Sequence, residues 1–103
     1  MSAPSIVRDN LARHRFEIDL GGGEYAIAVY ELEPGAIRFT HTIVPKSHEG
    51  KGLGTALIRA GLSAARERKL KVIPICTFFL AYFRKHPEEQ DIVDPAYMPS
   101  IEQ

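Results

Sequence analysis

The stretch IVPKSHEGKGLGTALIRAGLSAARERKLKVIPIC, residues 43–76, decides the fold, because its hydrophobic period changes twice within it. Ile43 and Val44 end an alternating segment, and residues 45–50 form a loop. From Gly52 onward Leu53, Leu57, Ala60 and Ala64 recur at helical spacing, widened by Ile58, Leu62 and Ala65, while Arg59, Arg66, Glu67 and Lys69 fall largely outside that stripe. KVIPIC, residues 71–76, is then an apolar run of strand length. Its Pro74 cannot donate to a ladder, which predicts a bulge, a splay or an edge at that point. Strand, helix and strand make a parallel crossover unit of the right-handed kind.

Upstream of this unit the sequence reads as three strands with short turns. RFEIDL, residues 15–20, alternates Phe16, Ile18 and Leu20 against Glu17 and Asp19. Gly21-Gly22-Gly23 is a hairpin turn and not a phosphate loop, since no helix follows it. EYAIAVYEL, residues 24–32, puts Tyr25, Ile27 and Val29 on one face and Ala26, Ala28 and Tyr30 on the other. Pro34-Gly35 turns the chain into AIRFTHTIV, residues 36–44, where Ile37, Phe39, His41 and Ile43 are expected to share a face. Downstream, TFFLAYFRKH, residues 77–86, reads as a second helix limited by Pro87. The predicted order is β-β-β-α-β-α: an α/β protein with a mixed sheet, an antiparallel meander joined to one parallel crossover. A single domain is expected over residues 6–94. Residues 1–5 are expected to be a loose end, and residues 95–103 a C-terminal tail that packs only in part.

Composition sets bounds on function. With 103 residues the chain can bury one core but not two. A hydrophobic fraction of 45% is that of an ordinary soluble domain, and thirteen basic residues balance thirteen acidic ones, so nothing global points to nucleic acid or a membrane surface. Cys76 is the one cysteine, which excludes an internal disulfide and a cysteine-based zinc site and predicts a reduced, cytoplasmic setting. The N-terminus has no apolar segment of the signal-peptide kind.

The chemistry lies in the loop. Glycines at 50, 52 and 54 open a long helix directly after a strand. Helix N-terminal amides have no internal partner, and with the positive end of the dipole they suit an anion. Glycine lets a phosphate approach the backbone, Thr55 adds a hydroxyl and Lys51 adds charge, so the segment reads as a pyrophosphate cradle. The order GxxxxGK[ST] of nucleoside-triphosphate loops is absent. The dinucleotide fingerprint GxGxxG also fails, because Gly54 comes one place early and no acidic residue closes the next strand. What fits is [R/Q]-x-x-G-x-[G/A], here Glu49-Gly50-Lys51-Gly52-Leu53-Gly54.

This loop resembles the acetyl-coenzyme A loop of the GNAT family, the general-control-related N-acetyltransferases. His41-Thr42-x-Val44-Pro45 before it, the strand ending in Cys76, and the helix with Tyr82 and a His86-Pro87-Glu88 end resemble a minimal, stand-alone subgroup of that family. The resemblance implies a truncated GNAT-like fold and acetyl transfer from acetyl-coenzyme A to an amine acceptor, a protein, a peptide or a small amine, in a monomer or small homo-oligomer. It implies cofactor contacts from Ile43, Val44, Glu49, Gly50, Lys51, Gly52, Leu53, Gly54 and Thr55, with the pantetheine arm along the strand before the loop, where it splays from residues 74–76. It implies an acid in Tyr82, with the acetyl group near Cys76 and His41. Two features depart from the family. Glu49 replaces the usual Arg or Gln, so its backbone amide and not its side chain is expected to meet phosphate. The helices that cover the acceptor in larger members have no room here, which implies an open acceptor face. Direct transfer, transfer through Cys76 and general-base roles for His41 or Glu49 stand beside structural readings of each residue. His48 and His86 have no partner at metal-ligand spacing, so no metal is expected. A non-catalytic acyl-coenzyme A binding or sensing module is the rival reading, and a partner-binding protein that has lost the cofactor is a more distant one.

Overall fold

The computed structural model describes residues 6–102; the expected loose end at residues 1–5 lies outside the described residues. Five strands stand in the sheet in chain order: β1 (Arg8–Asn10), β2 (Arg15–Gly21), β3 (Glu24–Glu33), β4 (Ala36–Ile43) and β5 (Lys71–Pro74). The first four pair antiparallel, and β4 and β5 pair parallel across helix α1 (Leu53–Glu67). Helix α2 (Thr77–Lys85) follows β5, and a short helix α3 (Met98–Glu102) ends the described chain. Gly22 and Gly23, at φ 62° and 82°, form the β2–β3 turn, a left-handed pair that suits the twist of a two-residue hairpin.

One face of the sheet carries the core. Phe16 and Ile18 of β2, Ala26, Ala28 and Tyr30 of β3, and Ile37 and Phe39 of β4 are all buried there. Phe39 touches both helices: a Cβ added at Gly61 of α1 would lie 2.8 Å from its ring, and the Phe79 ring of α2 stacks on it at 4.1 Å. Gly61 thus removes the side chain that would hold α1 off the sheet. Both helices therefore cover the same face, and among the described residues no helix covers the other.

The alternation expected through β4 does not hold. Val29 pairs with His41 and Tyr30 with Phe39, which leaves Thr40 as one extra residue, a β-bulge. The bulge inverts the faces beyond it. Thr42 pairs with buried Ala28 on the helix side, while His41 and Ile43 pair with Val29 and Ile27 on the open side. His41 and Ile43 do not share the face of Ile37 and Phe39.

Further differences lie at the chain ends. β1 is three residues long, too short to show a period, and is held by polar contacts. Glu17 on the open face is 3% exposed and accepts from Arg8 Nη2 at 2.7 Å, Arg15 Nε at 2.8 Å and Asn10 Nδ2 at 3.3 Å. The Arg8 hydrogen bond, with those from Arg15 and Asn10, holds the Glu17 carboxyl at about 2 against an ordinary 4.5. Tyr30 donates to Asp9 at 2.6 Å, and Arg68 at the end of α1 reaches the same carboxylate at 2.8 Å. Burial first and Asp9 second push the Tyr30 hydroxyl up to about 12. At the other terminus, Val93 bridges to Val72 along the outer edge of β5, and the Asp94 amide donates to the Val72 carbonyl at 2.9 Å. Residues 95–102, expected as a tail, end in α3: Ile101 is buried in the core, and the carbonyls of Ser100 and Ile101 accept from Arg84 at 2.9 Å.

Candidate active site

β4 and β5 stay paired only as far as Phe39 and Pro74. There the Phe39 carbonyl accepts from both Ile75 and Cys76, at 3.1 and 3.0 Å. The remaining length of β4 runs on without β5 beside it. A 3₁₀ turn, Lys46–His48, then leads into the glycine loop and α1. Between this loop, the first turns of α1 and one face of α2 lies a groove of about 440 Å³.

The α1 end of the groove is shaped for an anion. Gly52, at φ 77° and ψ 15°, is the residue before the helix, and left-handed backbone of this kind favours glycine. No side chain caps α1 and no acidic residue stands in its first turn. The first backbone bond of the helix is from Ala56 to the Gly52 carbonyl at 3.1 Å, so the amides of Leu53, Gly54 and Thr55 have no partner within it. A pyrophosphate fits these donors, with the Thr55 hydroxyl at the groove wall.

The residues expected to meet the cofactor divide. Val44, Glu49, Gly50, Gly52, Leu53, Gly54 and Thr55 line the groove, and Ile43 and Lys51 do not. Ile43 is on the open face, 54% exposed, and Lys51 Nζ turns to His48 Nδ1 at 3.5 Å. The Glu49 amide donates to the Lys46 carbonyl at 3.3 Å, so it is not one of the free donors expected there. Gly54 has a second reason to be small, since a Cβ on it would stand 3.1 Å from the Phe78 ring. It lets α1 and α2 meet at the floor of the groove.

The three candidate catalytic residues occupy three places. Cys76 is buried where β5 ends and α2 begins, and its thiol donates to Thr42 Oγ1 at 3.1 Å. His41 is exposed on the opposite face of the sheet, with Nδ1 3.1 Å from Thr40 Oγ1. Tyr82 lines the groove and is six residues along α2 from Cys76, about 9 Å at 1.5 Å per residue. Its hydroxyl donates to Glu89 Oε2 at 3.2 Å, and Arg66 holds Glu89 at 3.1 Å and Asp91 at 2.9 Å. Burial pushes the Tyr82 hydroxyl above its ordinary value, and the Arg59 guanidinium opposes that push, so the group is a protonated donor at neutral pH.

Sequence reasoning missed Thr42 as the partner of Cys76, because the bulge that turns it inward leaves no mark in the pattern. It did not single out Phe78, which is 43% exposed and lines the groove with Tyr82 and Lys85. Their spacing of four and three residues marks one helix face and was the available signal. Among the described residues no group of His, Cys, Asp and Glu could hold a metal, and no helix is long and apolar enough to cross a membrane.

Comparison with known proteins agrees with this arrangement. Residues 15–92 match the family model described as GCN5-related N-acetyl-transferase. Protein NATD1 of Mus musculus, of Gallus gallus and of Homo sapiens are each 28% identical to the chain over 89 residues. These matches cover 84% of this chain, and 81% of the mouse and chicken proteins and 79% of the human one. The match spans most of the sheet together with the glycine loop and both groove helices, and the chain belongs to the GCN5-related N-acetyltransferase family.

Proposed function

We propose that this protein transfers an acetyl group from acetyl-coenzyme A to an amine acceptor. The observation that carries this reading is the uncapped N-terminus of α1, opening into a groove next to the point where β4 leaves β5. The amides of Leu53, Gly54 and Thr55 hold the pyrophosphate. Val44 and the unpaired run of β4 take the pantetheine arm, which delivers the thioester towards Thr42 and Cys76. The acceptor amine comes from the helix-free face, and His41, exposed on that face, takes its proton. Tyr82 serves as acid to the leaving thiolate only if its hydroxyl lets go of Glu89. The free thiol of Cys76 suits a reducing, cytoplasmic setting.

A second reading, a non-catalytic module that binds or senses acyl-coenzyme A, is favoured by one observation: the Tyr82 hydroxyl already donates to Glu89. Thermal unfolding with coenzyme A and acetyl-coenzyme A, followed by thiol release with a panel of small amines and peptides, tests both readings. A ligand at a hundredfold excess over its dissociation constant stabilises the fold by about 2.7 kcal/mol. Stabilisation with thiol release supports the transferase, stabilisation without release from any acceptor leaves the sensor, and no stabilisation sinks both.

A further inference from the structure

The helix-free face of the sheet carries a second cavity, of about 450 Å³, on the side of β1 and β2, where Arg8, Asn10, Arg13, Arg15, Glu17 and Tyr25 line it. Arg15 and His41 both pair with Val29, so they stand two strands apart on that face, about 10 Å. We infer that this cavity receives a carboxylate carried by the acceptor, which makes the acceptor a small amino carboxylate: an amine at one end, a carboxylate at the other and an apolar spacer of about 10 Å between them. The inference rests on the transferase reading and narrows its acceptor from any amine to this class. The chemistry is the same: the amine nitrogen bonds to the acetyl carbon as the thioester C–S bond breaks. Of the two protons that the ammonium loses, one goes to His41 and one ends on the departing thiol.

Charge selects an anion. Both oxygens of the buried Glu17 are taken: Oε1 by Arg8 Nη2 at 2.7 Å and Asn10 Nδ2 at 3.3 Å, and Oε2 by Arg15 Nε at 2.8 Å. Two guanidinium groups thus share one carboxylate. Arg13 adds a third cation. Its amide donates to Asn10 Oδ1 at 3.2 Å, which holds the β1–β2 turn, and among the described residues its guanidinium has no partner. Asp19, two residues beyond Glu17 on the same face, accepts from the Gly21 amide at 2.8 Å. With Asp19 counted, three cations face two carboxylates. An excess of one positive charge matches a singly charged carboxylate better than a doubly charged phosphate, and a guanidinium fork fits the carboxylate's two oxygens. Arg38, also on this face, is held by Glu33 at 2.8 Å and stands opposite Glu31, so it makes no second anion site.

Shape selects the spacer. Val29 stands between Arg15 and His41, and Ile27 stands between Glu17 and Ile43. Val29 and Ile27 are half-buried and Ile43 is exposed, so the path from the cavity to His41 is an apolar strip. A methylene chain laid across it leaves water, while a second cation at the far end of that chain would meet the arginines. The Arg15 guanidinium lies 5.6 Å from the centre of the Tyr25 ring, which keeps this cation at the cavity and away from His41.

The test measures thiol release from acetyl-coenzyme A with aminooctanoate, octylamine and diaminooctane, whose common spacer ends in a carboxylate, in nothing or in a second cation. The native protein should use aminooctanoate with a kcat/KM about tenfold above that of octylamine, the size of one charge-assisted hydrogen bond, and diaminooctane least well. Arg13→Ala should raise KM for aminooctanoate about tenfold at constant kcat and so erase the preference over octylamine, and Arg13→Lys should keep part of it. Unliganded melting temperature and stabilisation by coenzyme A are the controls for folding and for the groove. Equal kcat/KM for aminooctanoate and octylamine in the native protein, or a preference that survives in Arg13→Ala, would overturn the carboxylate cavity and leave the transferase reading intact. Thiol release with none of the amines, in a protein that coenzyme A still stabilises, would overturn the cavity and the transferase reading together.

Discussion

At the β1 margin of the sheet polar groups are consumed by one another: Glu17 takes Arg8, Arg15 and Asn10, and Asp9 takes Tyr30 and Arg68. At the β4–β5 margin the opposite holds. Three helix amides lack an internal partner, and Lys85, which lines the groove, has none among the described residues. The two margins belong to one sheet and share one core, so general looseness does not explain the difference. Groups at the β1 margin are satisfied because they tie a short strand to the body. Groups at the groove are left unsatisfied, and their partner is proposed to be a ligand.

Substitutions can break or sharpen this contrast. Phe39→Ala should have the largest effect, because its ring spans both regions, against Phe16 and Tyr30 on one side and Phe79 on the other. A loss of about 3–5 kcal/mol is expected in denaturant unfolding. Such a loss would lower both margins together. Next, Gly52→Val should abolish the stabilisation by coenzyme A, about 2.7 kcal/mol at a hundredfold excess, and cost the free protein only the strain of a left-handed residue. A Cβ at Gly52 meets nothing within 4 Å in the protein, so normal coenzyme A binding by this variant would refute the placement of the cradle.

Gly61→Ala should destabilise by about 1–3 kcal/mol, against the usual gain from replacing a helical glycine, because the new methyl group meets the Phe39 ring. A more stable variant would show that α1 is not pressed on the sheet as described. At the β1 margin the Glu17 carboxyl is held near 2 in the folded protein against an ordinary 4.5. Its contribution is therefore present above pH 4.5 and lost as pH falls towards 2. Glu17→Gln should lower stability at neutral pH, flatten the acid limb between those values and leave coenzyme A binding unchanged. The smallest effect on stability is expected from Tyr82→Phe, below about 1 kcal/mol for the bond to Glu89. Lost turnover with retained binding would make Tyr82 the acid, and unchanged turnover would remove it from the mechanism.

Much of the fold was legible. The switch from period two to period 3.6 at the glycine loop located β4, α1 and β5, and Pro74 marked the point where β4 and β5 part. The loop was legible because its features are local: a glycine before a helix, no acidic first turn, a threonine in the first turn. The arrangement of the candidate catalytic residues was not. HTI in β4 alternates on paper, and only the register against β3 shows that Thr40 is extra and that His41 points away from Cys76.

By itself the sequence determined the order of elements, the parallel crossover and the glycine-led, acid-free start of α1, since each follows from backbone preference and hydrophobic period within a few residues. Tertiary structure alone decided which side chains meet. Arg66 finds Asp91 across 25 residues, Cys76 finds Thr42 across 34, and Arg68 finds Asp9 across 59. Those encounters settle which cations remain available in the groove and on which face each candidate residue lies, because pairing depends on distances that packing sets.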